Sequence, residues 1–438
     1  MGQLVFQATA GGQVALVGPN PSTSFALNLP AINGNLITSG DTGTVTNTML
    51  ASNIYTAPGT IGSVTPNTGA FTTIALGGNT QNQQLGQGNA SIMKNRIING
   101  AMVIDQRNAG ASVTPAASTY TLDRWNLSMS QASKLTIGQN LGGLTGTSLP
   151  IGFQNYLGIL TASAVSIGAG DFFFLIQPIE GFNTADLGWG TANAKTVTVS
   201  FQVYSSLTGT FGGSITNSAF NRSYPFSYTI LSANTWTTIS VIIAGDTTGT
   251  WVGATNGSGL NLRFGLGVGS TYSGTAGSWS ANGYFSATGA TSVVGTNGAT
   301  FYITGVQLEV GSSATGFEYR QYQQELALCQ RYFWSTGSST SAYVCGGLSY
   351  ASTSALLNLA LPVSMRTSPT SSASFVYELN GSATPIAINS LTVNTVTPNY
   401  QQIGLVGVVT LGLIAGQATA LLIGNGSNAG YLQLSAEL

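Results

Sequence analysis

The chain has 438 residues, of which 5% are charged; it has no histidine and a formal net charge of −1. About a quarter of the residues of an ordinary soluble domain are charged, so the polar surface here falls to Ser, Thr, Asn, Gln and backbone, which suit turns and strand faces. This balance excludes a basic nucleic-acid face, and the missing histidine excludes a Ser-His-Asp triad and histidine-ligated zinc.

With 58 glycines and 43% hydrophobic residues, the composition predicts an all-β protein rather than a disordered one. Single cores rarely exceed about 250–300 residues, so two or three structural units are expected. Residues 1–93 hold one charge, Asp41. The opening MGQLVFQATAGGQV has no basic segment and no sustained apolar core, so no secretory leader is expected. TSFALNLPAING and GDTGTVTNTMLAS read as short strand pieces between turns. They bury little alone and are expected to be ordered within an oligomer, as an attachment or shaft region.

All but four charged residues lie in 94–334. Six of them, Lys94, Arg96, Asp105, Arg107, Asp123 and Arg124, gather in KNRIINGAMVIDQRN and YTLDRW. After the Asn99-Gly100 turn pair, Met102 and Ile104 are expected on one strand face and Val103, Asp105 and Arg107 on the other. Asp105 with Arg107 or Arg124, and Asp123 with a nearby arginine, are expected to form structural ion pairs that register the first strands.

In TVTVSFQVYSS (196–206), Val197, Val199, Phe201 and Val203 alternate with Thr196, Thr198, Ser200 and Gln202, the pattern of a half-buried strand. DFFFLIQPIEG, TTISVIIAG, LRFGLGVG and ATFYITGVQLEVG follow the same logic, so 94–317 is predicted to be a jelly-roll sandwich. Trp125 and Trp236 sit in strand patterns and are assigned to the core. Trp189, Trp251 and Trp279 sit in turn-rich contexts and are candidate sugar-stacking residues; capping of the core is the alternative.

Hydrolysis of a glycosidic bond needs two carboxyl groups about 5–10 Å apart. Asp105, Asp123, Asp171, Glu180, Asp186 and Glu309 are the available acids, and no motif pairs any two. No catalytic residue, metal ligand or cofactor is assigned; calcium stays open, because it needs six to eight oxygen ligands and no dense Asp cluster supplies them.

EYRQYQQELALCQRYFW (318–334) breaks the β pattern. Tyr319, Tyr322, Leu326, Cys329 and Phe333 step by three and four along one helix face. A helix on an oligomer axis and a helix covering the sandwich end both fit. Residues 335–438 read as a second, smaller β-sandwich and distal tip. Tyr350, Tyr377 and Tyr431, with Tyr343 and Tyr400, are candidate contact residues there, or strand tyrosines packing across sheets. Cys329 and Cys345 read as buried thiols, although their spacing permits a bridge. IGLVGVVTLGLIAG (403–416) is too short for a membrane helix, so no membrane insertion is expected.

GTIGSVTPNTGAFTTI, NRIINGAMVIDQRNAGASVT with YTLDRW, QPIEGFNTADLGWGTANAKTVTVSFQVYSSLTGTFGGSI, GDTTGTW, ATFYITGVQLEVGSSATGFEYRQYQQELALCQRYF and LQLSAEL together resemble bacteriophage tail-fibre and virion-appendage proteins with a carbohydrate-binding-like β-sandwich. The resemblance spans roughly 50–334 and extends loosely over 335–438. It implies a homotrimeric structural protein at the virion periphery, and with no motif pairing two acids a non-enzymatic one is expected. The N-terminal region would join other virion proteins of the tail or an adaptor. The far end would meet a host surface receptor, a glycan first among them. A polysaccharide-depolymerising tailspike and a purely architectural head fibre or decoration protein are the alternatives.

Overall fold

The computed structural model describes residues 4–7, 13–16, 93–379, 385–397 and 400–438. The chain divides into two compact units, 1–76 and 77–438. In the first, Leu4–Gln7 (β1) and Gln13–Leu16 (β2) pair antiparallel. The rest of the attachment or shaft region expected over 1–93 lies, Met93 apart, outside the described residues.

The second unit begins with Thr119–Leu122 (β3), Trp125–Met129 (β4), Leu135–Gln139 (β5), Leu157–Thr161 (β6), Phe172–Glu180 (β7), Val197–Ser205 (β8), Gly209–Thr216 (β9), Ser223–Ile230 (β10), Thr237–Ile243 (β11) and Ser258–Val268 (β12). Two short strands, Ser273–Gly274 (β13) and Ser286–Ala287 (β14), precede the long Thr300–Val310 (β15). A six-stranded sheet runs β10-β9-β12-β7-β4-β3, and a five-stranded sheet runs β11-β8-β15-β6-β5. Their inner faces meet in one core containing Trp125, Leu127, Phe173, Leu175, Phe201, Phe264 and Phe301. In β8 the expected face is the buried one: Val197, Val199, Phe201 and Val203 are all in the core. Trp125 is fully buried as expected, whereas Trp236 is half-buried at the sandwich edge, among Tyr156 and Tyr204.

The opening stretch 94–108 forms no strand, although its alternation holds: Met102 and Ile104 are buried and Val103 is exposed. Side-chain amides replace the ladder. Asn95 accepts from the amides of Ile97 and Leu308 and donates to Val306 O. Gln177 brackets Ile98 by accepting from its N–H and donating to its carbonyl. Asn99, at φ 57°, does the same to Ile104. Gly100 is needed beside it because a Cβ there would meet Val306 O at 2.2 Å.

The helix is Tyr322–Gln330 (α1), shorter than the pattern predicts. Residues 318–321 stay extended because Glu318 accepts from Asn95 N and Arg320 donates to the carbonyls of Ile97 and Asn95. Phe333 belongs to the next strand, Phe333–Ser335 (β16). Tyr319 and Tyr322 are exposed, and the buried seam is Leu326 and Cys329 against Ile98, Ile104 and Tyr332. Within this chain the helix covers the sandwich end.

The C-terminal strands are Ala342–Ala351 (β17), Ser354–Ala360 (β18), Thr370–Ser374 (β19), Val376–Leu379 (β20), Ile386–Val396 (β21), Gln402–Val409 (β22), Ala418–Ile423 (β23) and Tyr431–Ser435 (β24). The all-β expectation holds, but the second sandwich expected over 335–438 is corrected to a barrel, because β17 meets β23 and closes the sheet. Six of these strands close into a barrel, β17-β18-β22-β21-β20-β23, beside a three-stranded sheet β16-β24-β19. Closure pairs β17 with both β18 and β23 and leaves no barrel edge unpaired. Cys329 and Cys345 are free thiols. Among the described residues no helix is long and apolar enough to cross a membrane.

Candidate functional site

Two of the gathered charges, Arg107 and Arg124, form a seam between the sandwich and the C-terminal part. Arg124 lies across the Tyr332 ring and pairs with Glu437; Arg107 lies across the Phe333 ring and pairs with the other oxygen of Glu437 at 2.5 Å. Burial works against the Arg124 charge, and Glu437 together with Tyr332, Tyr120 and Cys329 outweighs it, so its pKa rises. Glu180 extends the seam, accepting from Arg331 Nε at 2.9 Å and from the Tyr332 hydroxyl at 2.5 Å. Arg366 donates to the carbonyls of Ala436 and Glu437 and to Asn256 O.

The expected pairings of Asp105 and Asp123 are therefore corrected. Asp105 accepts from the amides of Asn108 and Gly110 and closes a turn. Asp123 accepts from the Gln106 amide at 2.7 Å and its side chain at 2.6 Å. Burial, only partly opposed by Arg107 and these bonds, pushes its pKa up to about 6. The arginines turn to Glu437 because a carboxylate from the distant end of the chain arrives there. Arg96 instead holds Asp186 through two bonds of 2.6 and 2.8 Å.

Trp189, Trp251 and Trp279 are brought together, with ring centroids 4.8, 5.3 and 5.6 Å apart and all near edge-to-face. They lie in turn-rich stretches as expected, and the packing is that of the alternative, capping of the core. Trp189 is buried, the other two pack half-buried against the core, and all three indole N–H groups donate within the chain. Of the tyrosines, Tyr343 and Tyr350 are exposed on β17. Tyr377, on β20, accepts from Asn425; Tyr400 packs on the barrel core; Tyr431 is half-buried on β24. They lie on different strands and loops of two sheets.

A groove that the sequence reading missed crosses the outer face of the six-stranded sheet. It holds about 330 Å³. Ile176 and Pro178 form an apolar floor, flanked by Asn126, Ser128, Ser258 and Asn261, with the rings of Tyr120 and Phe220 at its sides. Strand register sets this pattern: Asn126 lies opposite Ile176, and Pro178 opposite Asn261. Asn126 Oδ1 accepts from Ser128 Oγ at 2.8 Å, and Asn261 Oδ1 from Ser258 Oγ at 3.2 Å, which fixes both amides. An apolar strip edged by oriented amides and hydroxyls, with rings beside it, can take one face of a sugar and bond its hydroxyls. The signal was present in the alternation of NLRFGLGV, whose second face carries Asn261, Arg263, Gly265 and Gly267.

No Asp or Glu side chain lines this groove. Asp171 accepts from Ser130, Gln131 and Gly168 N, and Glu309 from Thr315 and Gln307. Among the described residues no group of three or more His, Cys, Asp and Glu could hold a metal ion.

No protein-family model and no curated protein matches the chain. Among solved structures it is similar to the enzymatically active domain of tailspike protein 4 of bacteriophage CBA120, at 11% identity over 50% of this chain, with a TM-score of 0.28. The chain spans 22% of that tailspike domain's length. It is also similar to a family 11 carbohydrate-binding module of a cellulosomal cellulase of Clostridium thermocellum, at 10% identity over 48% of this chain and 100% of the module, TM-score 0.24. A third is TmCBM61, solved with β-1,4-galactotriose, at 8% identity over 43% of this chain and 88% of the module, TM-score 0.23.

Proposed function

We propose that the chain is a bacteriophage tail-fibre or virion-appendage protein that binds a host surface glycan without hydrolysing it. The observation that carries the binding is the groove with its Ile176–Pro178 floor and its Asn126, Ser128 and Asn261 rim. Its lack of an Asp or Glu side chain supports binding over hydrolysis, which needs a carboxyl pair. The resemblance of residues 50–334 to phage tail fibres supports the virion setting, and with it a homotrimer whose N-terminal region joins other virion proteins. Three grooves on one trimer would raise modest single-site affinity by avidity.

Purified full-length protein should sediment as a trimer, coat host cells and block phage adsorption. A monomer removes the avidity argument. Failure to bind cells or block adsorption leaves an architectural role, and release of reducing ends from host polysaccharide replaces binding with depolymerisation.

A further inference from the structure

Arg263 projects from the outer face of β12, yet only 1% of it is exposed. In the cross-strand row Asn126, Ile176, Arg263, Ser214 it stands one strand beyond the groove floor. Its Nη1 donates to Thr216 Oγ1 at 2.5 Å, and none of the ion pairs among the described residues includes it. Its Nε has no partner, and neither do the hydroxyls of Ser214, its neighbour in the row, and Ser286. Ser286 covers the same patch, since a Cβ on Gly265 would meet its Oγ at 2.6 Å. Three unpartnered buried donors thus lie on the same outer face, over β9 and β12.

A buried charge without a counter-ion is costly, and such groups call for an explanation. Burial pushes the Arg263 pKa down to about 9, so it remains a cation at neutral pH. Phe174, Phe220 and Phe285 surround the guanidinium at 5.3, 4.9 and 5.1 Å. Phe220 belongs to both places: it covers Arg263 and lines the groove. It is also 49% exposed and held at φ 54°, in the left-handed region that bulky residues avoid.

We propose that Arg263 is a closed subsite for the carboxylate of an acidic sugar bound in the groove, with Phe220 as its door. This rests on the groove's reading as a glycan site. Neighbouring strands lie about 4.8 Å apart, so a sugar ring seated over Ile176 would hold its exocyclic carboxylate beside the guanidinium. That planar fork matches a carboxylate through two bonds, and Ser214 and Ser286 would supply further donors.

The test uses the full chain and three acidic glycans, polygalacturonate, polyglucuronate and polysialate fragments, each paired with its carboxyl-reduced form. At least one acidic form should bind about tenfold or more tightly than its reduced partner, and R263M should erase that preference. Because Arg263 is buried, F220A gives an independent reading: opening the door should enlarge the preference several-fold. Equal binding of acidic and reduced forms by wild type and F220A overturns the proposal and leaves the glycan groove standing. A preference that survives in folded R263M overturns it as well, and so does binding of none of the six probes. The groove itself is judged separately, by host-cell binding.

Discussion

Glu437 and Arg124, 313 residues apart in sequence, are paired at the seam between the sandwich and the C-terminal sheet. Arg107 shares the same carboxylate, so one acid serves two guanidiniums, each flattened on an aromatic ring. Charges are scarce in this chain, and two of those gathered at 94–124, Arg107 and Arg124, tie the start of the sandwich to Glu437.

Substituting Glu437→Gln would leave two buried cations short of an anion. Removing one partner of a buried pair costs about 3–5 kcal/mol, so the variant should lose at least about 3 kcal/mol in urea denaturation. Asp105→Asn disturbs only a turn in which two backbone amides bond the carboxylate, and should cost about 1 kcal/mol. Equal losses would mean that the seam carries no special weight.

The tryptophan cluster gives a second contrast. Trp251→Ala opens space between Trp189 and Trp279, and truncating a packed tryptophan costs roughly 3–5 kcal/mol. The expected outcome is a lower melting temperature with glycan affinity retained. Lost affinity at unchanged stability would restore these rings as the sugar platform.

Glu378 predicts a pH dependence. Its carboxylate is buried in the barrel with only the Thr419 hydroxyl beside it to favour the charge. Burial raises its pKa from 4.5 to about 7. Below the unfolded value both states are neutral. Between the two values the folded chain keeps the proton and the unfolded chain loses it, so stability falls as pH rises, by up to about 1.4 kcal/mol per pH unit. Glu378→Gln should match wild type near pH 4 and exceed it near pH 8 in denaturation curves. A constant difference across that range would show that Glu378 does not titrate there.

The thiols should be inert. Burial raises Cys329 well above its ordinary pKa and Cys345 to about 11. A thiol reagent at pH 8 should label buried Cys329 only after unfolding and half-buried Cys345 slowly, and rapid labelling of Cys329 in the native chain would contradict its burial.

Local alternation was enough to read β8 and the buried face of β12, because a period of two says which side chains share a face whatever the partner strand. It also put Met102 and Ile104 on one face, which the fold buries. It did not show that side-chain amides of Asn95, Asn99 and Gln177 would stand in for a ladder, since that depends on β15 and β7 lying alongside. Glu437 was invisible as a partner for the same reason: nothing near Arg107 or Arg124 in sequence announces it. The helix was read too long because its seam ignores the bonds from Glu318 and Arg320 that hold the preceding residues extended. Barrel closure depends on β17 meeting β23, a non-local pairing. The groove was half legible: NLRFGLGV announces a polar, glycine-rich second face, but which loop rests on it and where the face stays open is tertiary.

The central claim is that the groove on the six-stranded sheet holds a host glycan. It is tested most directly by calorimetric titration of the full chain with fragments of host surface polysaccharide, comparing wild type with Asn126→Ala/Asn261→Ala at matched thermal stability. Saturable binding by wild type that weakens about tenfold or more in the double variant is the predicted result. Unchanged affinity in a stably folded double variant would contradict it.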